Sequence, residues 1–285
     1  MLMPERLKTI LTIAGSDSCA GAGIQADIKA ASYFGIYATT AVTAVTAQNS
    51  GAVSKVIALP PDMLRSQIEA VVEDQCPDAV KIGMTGSLAN CEVICEMAEG
   101  CLKDVPIVID PVISATSGAM LSGDKEKLID FYINHLLPIA TVVTPNIPEA
   151  EMILGRPIHI SDTSAQSEVA ARILDKLGCQ SVVLKGGHTD GKRVWDVFVE
   201  YTFDGDLSFA NHYFQRLMCP NLHGTGCTYS TMMASAIAEG HSLAVAFRLA
   251  SKLTHDFIER SCGYSFGDHN NGPLNIFDFK TENNN

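Results

Sequence analysis

Short apolar runs bounded by Gly, Pro, Asn and Asp alternate along this chain with longer segments of helical spacing. Residues 8–14 (Lys-Thr-Ile-Leu-Thr-Ile-Ala) predict a buried strand that Gly15-Ser16-Asp17-Ser18 leave as a loop. A helix opens at Gly21-Ala22-Gly23 and runs to about Phe34. Residues 36–47, rich in Thr, Val and Ala, predict a second buried strand, and 52–59 a third. Pro60-Pro61-Asp62 carry cap chemistry for a helix over 62–74. The alternation continues with strand 79–82, helix 88–99, strand 105–109, a mobile loop over 114–123 and helix 124–135. Then come strand 139–143, a short helix from Pro148-Glu149, helix 164–177 and strand 181–184. Strands 193–201 and 207–214 flank the turn Asp204-Gly205, and helices 223–239 and 242–260 close the pattern.

Strands alternating with helices predict an α/β fold: a mainly parallel central sheet with helices on both faces. We place one domain over 1–279 and a loose polar tail over 280–285. The sheet's organisation directs attention to one edge. Asp17, Gln48, Met84, Asp110, Asn146 and Lys185 each follow the C-terminal end of a predicted strand. Open α/β sheets hold their ligands at that edge. Each of the six has a plain structural reading alone; their shared edge does not.

Composition narrows the partners. The chain has 285 residues, 47% hydrophobic, enough for a large buried core. Net charge is −12 with no basic cluster, which argues against nucleic acid and against anionic membrane surfaces. No apolar span reaches 18 residues, so no membrane crossing is expected, and the run from Thr9 to Ala14 is too short for a signal peptide. The nine cysteines include no Cys-x-x-Cys pair and read as free thiols of a reducing compartment, the cytoplasm. Cys91 and Cys95, with Cys101 nearby, allow a zinc site, but buried thiols explain them more simply.

The segment with most chemistry is Leu222-His223-Gly224-Thr225-Gly226-Cys227-Thr228-Tyr229-Ser230, a loop turning into a helix. Helix starts expose N–H groups and the positive dipole end, and glycines let an anion approach. An ordinary glycine-capped core helix is the plainer reading. Asp110 and Glu149 offer oxygens, with Asn146, for a magnesium–nucleotide complex; either acid could instead cap a helix. Lys185, ahead of Gly186-Gly187, can neutralise a transferring phosphoryl group or simply be solvated. Cys227 stands in a first turn, which favours thiolate; phosphates would oppose that, so nucleophile, base and packing residue all stay open. Gln48 suits a ring with adjacent donor and acceptor atoms, and Met84 an adaptable apolar wall, though both fit a core. Gly21-Ala22-Gly23-Ile24-Gln25-Ala26 matches the dinucleotide fingerprint, but no acid follows about 20 residues on.

Together these segments carry a resemblance. It rests on Ala14-Gly15-Ser16-Asp17, Gly21 to Asp27, Ala47-Gln48-Asn49, Lys81-Ile82-Gly83-Met84 and Asp110-Pro111-Val112. It continues through Thr144-Pro145-Asn146 with Pro148-Glu149, Lys185-Gly186-Gly187-His188 and His223-Gly224-Thr225-Gly226-Cys227-Thr228. In this order, over about 8–240, they resemble the hydroxymethylpyrimidine kinase / phosphomethylpyrimidine kinase family of thiamine biosynthesis, which has the ribokinase-like fold. The resemblance implies a pyrimidine site lined by Gly15, Ala22, Gln48, Met84 and Val112. It implies that Asp110 and Glu149 serve Mg2+, that Asn146, Lys185 and Thr225 serve ATP, and that Gly224, Thr225, Gly226 and Cys227 form an anion hole. Cys227 occupies the place of the catalytic Asp of ribokinase-like sugar kinases. Two successive phosphate transfers and a homodimer are also implied.

Three departures stand out. Cys19-Ala20 replace the family's usual Ser/Gly-Gly, Thr116 stands where a lid lysine is usual, and Asn221-Leu222 precede His223 in place of Asn-Thr or Tyr-Thr. Pyridoxal kinases share the fold and the Gly-Cys-Thr segment, so pyridoxal kinase or a dual-substrate kinase is the alternative. A nicotinamide oxidoreductase and a non-catalytic pyrimidine sensor are the more distant rivals.

Overall fold

The computed structural model describes residues 5–113, 122–269 and 271–279. Thr116, the Ser117-Gly118 loop and the tail 280–285 lie outside the described residues. Among the described residues nine strands form one sheet: β1 (Thr9–Asp17), β2 (Tyr37–Gln48), β3 (Val53–Ala58), β4 (Ala79–Ile82), β5 (Ile107–Ile109), β6 (Val142–Val143), β7 (Ser181–Leu184), β8 (Arg193–Tyr201) and β9 (Leu207–Gln215). The α-helices are α1 (Gly23–Phe34), α2 (Pro61–Asp74), α3 (Leu88–Glu99), α4 (Ser122–Phe131), α5 (Ile147–Leu154), α6 (Thr163–Leu177), α7 (Thr225–Glu239) and α8 (Leu243–Ser261). Sheet order is β3-β2-β1-β4-β5-β6-β7-β8-β9. The six strands from β2 to β7 run parallel, and β3, β8 and β9 are antiparallel additions at the two ends.

Strand side chains alternate between faces, so a strand covered on both sides is apolar throughout. On β1, Ile10 joins one core while Leu11 and Ile13 join the other. On β5, Val108 packs against one layer and Ile107 and Ile109 against the opposite one. The first core meets α2, α3, α5 and α6 through Ile68, Ile94, Ile153 and Ile173; the second meets α1, α7 and α8 through Ala30, Met233 and Phe247. Each fully buried isoleucine contributes about 1.5–3 kcal/mol of apolar transfer.

Several boundaries differ from the predicted ones. β1 continues through Gly15 and Ser16 to Asp17, pairing Asp17 with Thr46 after a register shift between Ala14 and Ser16. The irregularity at Gly15 lets a strand persist where three small polar residues read as loop. The predicted strand 139–143 shrinks to Val142–Val143, because α4 runs on through a π-turn, Tyr132–Leu136, into a 3-10 turn, Leu137–Ile139, that contains Pro138. α7 opens at Thr225, two residues late, because Gly224 has φ +82° and is not helical. Cys91 is buried and donates to Thr85 Oγ1 at 3.1 Å, and burial pushes its thiol up to about 12. Among the described residues no helix is long and apolar enough to cross a membrane.

Candidate active site

The C-terminal strand edge holds a cavity of about 540 Å³. Gly15, Ala22, Gln48, Met84 and Val112, the five residues expected around a pyrimidine, all line it, and so does Cys227. Their convergence follows from topology. β1, β2, β4 and β5 end side by side, and each sheds its next residues over the same edge. β3 adds a wall from Val53 to Val56 that the sequence did not signal, since edge-strand valines look like any others. A Cβ at Gly15 would lie 2.3 Å from Met84 Cε, so any larger residue there would have to displace the flexible Met84 side chain.

One end of the cavity is polar and preorganised. Asp17, buried, accepts hydrogen bonds from the backbone N–H groups of Cys19 (2.8 Å), Gly21 (3.1 Å) and Ala22 (2.8 Å). His223 Nε2 lies 2.8 Å from Asp17 Oδ2 and 3.1 Å from the Gln48 amide. Burial alone would raise the Asp17 carboxyl; the bonds from His223, Ala22 and Cys19 outweigh it and hold the group below its usual range. The ionised Asp17 makes His223 a donor at Nε2. His223 thus ties the loop before α7 to the end of β1, a contact across 206 positions. On sequence alone His223 had a place in a motif but no role; a lone imidazole among glycines and hydroxyls was the available sign.

A second group of residues lies beyond Cys227, outside the cavity lining. Lys185 Nζ pairs with Asp110 Oδ1 at 2.8 Å. Burial would lower the Lys185 ammonium, but Asp110 and Glu149 together raise it, so it stays charged. Asn146 caps α5 reciprocally: its side chain accepts from Glu149 N and Glu149 Oε2 accepts from Asn146 N, both at 2.9 Å. Glu149 is pushed up to about 7, chiefly by burial and further by Asp110. Two buried carboxylates beside the Lys185 ammonium form a site short of positive charge. Hard oxygen donors of this number suit Mg2+, which takes one or two carboxylates and completes its shell with phosphates and water.

α7 joins the two groups. A Cβ on Gly226 would approach Asp110 Oδ2 to 3.1 Å and Lys185 Nζ to 3.5 Å, so the first turn of the helix sits directly against the charged pair. Gly224 adopts φ +82°, and a Cβ there would lie 1.8 Å from Gly21 O, so only glycine fits. Thr225 spends both its hydroxyl proton (2.7 Å) and its N–H (3.2 Å) on Leu222 O, leaving the hydroxyl oxygen's lone pairs and the following N–H groups of the helix start for a ligand. The ionisation of Cys227, open on the sequence, follows from its surroundings. Helix position favours thiolate, yet burial dominates, with Asp27 and Asp110 adding to it and Lys81 opposing, and the thiol is pushed up to about 11. The group is a neutral thiol.

Comparison with known proteins decides among the readings of such a site. The family model described as phosphomethylpyrimidine kinase matches residues 17–275. The chain belongs to this kinase family. The hydroxymethylpyrimidine/phosphomethylpyrimidine kinase of Bacillus subtilis is 38% identical over 276 residues, covering 95% of this chain and 95% of the relative. The chloroplastic thiamine biosynthetic bifunctional enzyme of Arabidopsis thaliana is 37% identical, over 96% of this chain but only 51% of the plant protein, so this chain spans about half of it. A pyridoxal kinase from Staphylococcus aureus, solved in complex with AMP-PCP and pyridoxal, superposes with a TM-score of 0.77 at 30% identity, covering 95% of this chain and 94% of that one. The fold is the ribokinase-like fold of these kinases.

Membership in the kinase family also reassigns the glycine-rich run at Gly21. Its backbone N–H groups wrap the Asp17 carboxylate, a protein anion, in place of a dinucleotide pyrophosphate. The departure at Cys19-Ala20 has a visible consequence: Ala20 is held at φ +59°, where a Cβ is unfavourable.

Proposed function

We propose that this protein phosphorylates 4-amino-5-hydroxymethyl-2-methylpyrimidine with ATP, and then phosphorylates the monophosphate to the diphosphate, as a thiamine-biosynthetic kinase. The observation that carries this reading is the shared wall. Cys227 lines the cavity that holds the residues expected around a pyrimidine, while the adjoining Gly226 abuts the Asp110–Lys185 pair. A hydroxymethyl group in the cavity would therefore meet a phosphate held at the start of α7. Gln48 and the Asp17–His223 pair supply donors and acceptors to a ring edge, with Met84 and Val112 as its apolar walls.

In transfer, the hydroxymethyl oxygen bonds to the γ-phosphorus as the bond to the β-phosphate oxygen breaks, releasing ADP, and the hydroxyl proton leaves by way of a transferred phosphoryl oxygen to water. The transition state is loose, so alignment and charge neutralisation dominate and a strong base matters little. Lys185 would neutralise the moving phosphoryl group, and the anion hole of Gly224, Thr225, Gly226 and Cys227 would hold its oxygens, chiefly through the N–H groups of Gly224, Gly226 and Cys227, since that of Thr225 donates to Leu222 O. Asn146 and Thr225 would contact ATP. Asp110 and Glu149 would hold Mg2+, which draws charge from the phosphates when bound. We further assign the enzyme to the cytoplasm as a homodimer of single-domain chains over 1–279, readings supported by the resemblance and checked by fractionation, light scattering and limited proteolysis.

The test is phosphate transfer from Mg-ATP to the aminopyrimidine, with products resolved by mass and pyridoxal run in parallel. Diphosphate product supports both steps. Monophosphate alone removes the second step, pyridoxal phosphate alone moves the protein to the alternative, and absence of transfer refutes the kinase reading.

A further inference from the structure

Beneath the site lies a buried charge pair that the transfer chemistry above does not use. Lys81 on β4 and Asp27 on α1 are both 0% exposed, and Lys81 Nζ donates to the two Asp27 oxygens at 3.0 and 2.9 Å. Thr12, the register partner of Lys81 on β1, and Thr231 on α7 also donate to Asp27. The surroundings are the apolar core of Ile10, Ala79 and Val108. Burying such a pair is expensive, and well-packed apolar residues are often as stable or more so. Its cost calls for a compensating role.

Helix spacing shows where the pair is aimed. Asp27 follows Gly23 by four residues on α1, and Thr231 follows Cys227 by four on α7. Residues four apart stack on one face, about 6 Å along the axis. At the top of these two stacks the helix starts meet, where Gly23 N–H faces the Cys227 sulfur. The Lys81 ammonium lies on the site side of the pair: a Cβ on Gly83, next to the cavity residue Met84, would come within 2.9 Å of its Nζ. Lys81 also acts on Cys227 more strongly than the Asp27 carboxylate does. The pair is therefore a fixed dipole, positive end toward the anion loop.

We propose that Lys81 is a positioning residue for phosphoryl transfer, held by Asp27 so that it fixes the convergence of the α1 and α7 starts and presents a buried positive charge beneath the phosphate they receive. This rests on the kinase reading of the site. Preorganised charge of this kind acts on the transition state without reorganisation cost. Neither residue lines the pyrimidine cavity, so substrate capture should be nearly indifferent to them.

The test uses the full chain with Lys81→Met and Asp27→Asn combined, which removes both charges and leaves neither unpaired. Circular dichroism and thermal unfolding establish folding. Steady-state kinetics and calorimetric binding of inorganic phosphate follow. The expected result is a folded protein with kcat lowered about 10²-fold, KM for the pyrimidine within about threefold, and phosphate affinity weakened about tenfold. A folded double variant with wild-type kcat and wild-type phosphate affinity overturns the proposal. Should the double variant not fold, Thr231→Val keeps both charges and removes one Asp27 bond. It should lose about three- to tenfold in kcat at unchanged KM, and wild-type kcat would overturn the proposal there. A wild-type chain that transfers no phosphate sinks the kinase reading itself, and the phosphate affinities still decide the role of Lys81.

Discussion

Lys185 and Cys227 flank the same first turn of α7, and the structure ranks them. Lys185→Ala removes the cation paired with Asp110 at 2.8 Å and leaves the Asp110 and Glu149 charges without it. Deleting a preorganised charge from a water-poor phosphoryl site costs about 2.7–4 kcal/mol, or 10²–10³ in kcat. Cys227→Ser is a different perturbation. A thiol at about 11 is some three units above an assay pH of 8, so about one molecule in a thousand carries thiolate. A general base that is almost never ionised contributes little to a loose transition state. The serine keeps the shape, so the loss should stay below about tenfold. The assay is ADP release with saturating Mg2+, with kcat and both KM values measured for each variant. Lys185 is outside the cavity lining, so its variant should keep the pyrimidine KM within about threefold. Comparable kcat losses for the two variants, or a larger loss for Cys227→Ser, would refute the reasoning.

Glu149 binds a proton up to about pH 7 in the ligand-free fold, against an ordinary value of 4.5, so the folded state holds more protons than the unfolded state between these limits. The group's contribution is present below pH 4.5 and lost as pH rises through 7, so the melting temperature of Glu149→Gln should gain on wild type from pH 5 to 8; a constant difference would contradict this. For the same reason, Mg2+ binding with an ATP analogue should tighten through pH 7 in wild type, because the carboxyl must first lose its proton. Gly15→Ala should push the Met84 methyl, 2.3 Å from the new carbon, into the cavity and raise the pyrimidine KM while sparing the ATP KM; equal shifts in both would count against the division of the site. Ala20→Gly relieves a φ of +59° and should add up to about 1 kcal/mol, or about 2–4 °C in melting temperature; a lower melting temperature would show that the backbone there is not strained.

Local pattern determined much of this protein. The alternation of apolar runs and helical periods specified an α/β sheet covered on both faces, because strand and helix periods are readable over a few residues. The edge carrying Gln48, Met84, Asp110, Asn146 and Lys185 was legible too, since parallel strands must all end on the same side. Tertiary structure alone decided the rest. Asp17 meets His223 across 206 positions and Lys81 meets Asp27 across 54, and no window of sequence spans such a contact. β1 continues through Gly15 to Asp17 only because β2 offers it a partner strand past a register shift. The Cys227 thiol is neutral because the closed layers bury it, with Asp27 on α1 and Asp110 just after β5 adding to that against Lys81 on β4, overriding what its helix position favours. Periodicity reports which residues face inward; which charges then stand beside one another, and so which protons are held, depends on how the layers close.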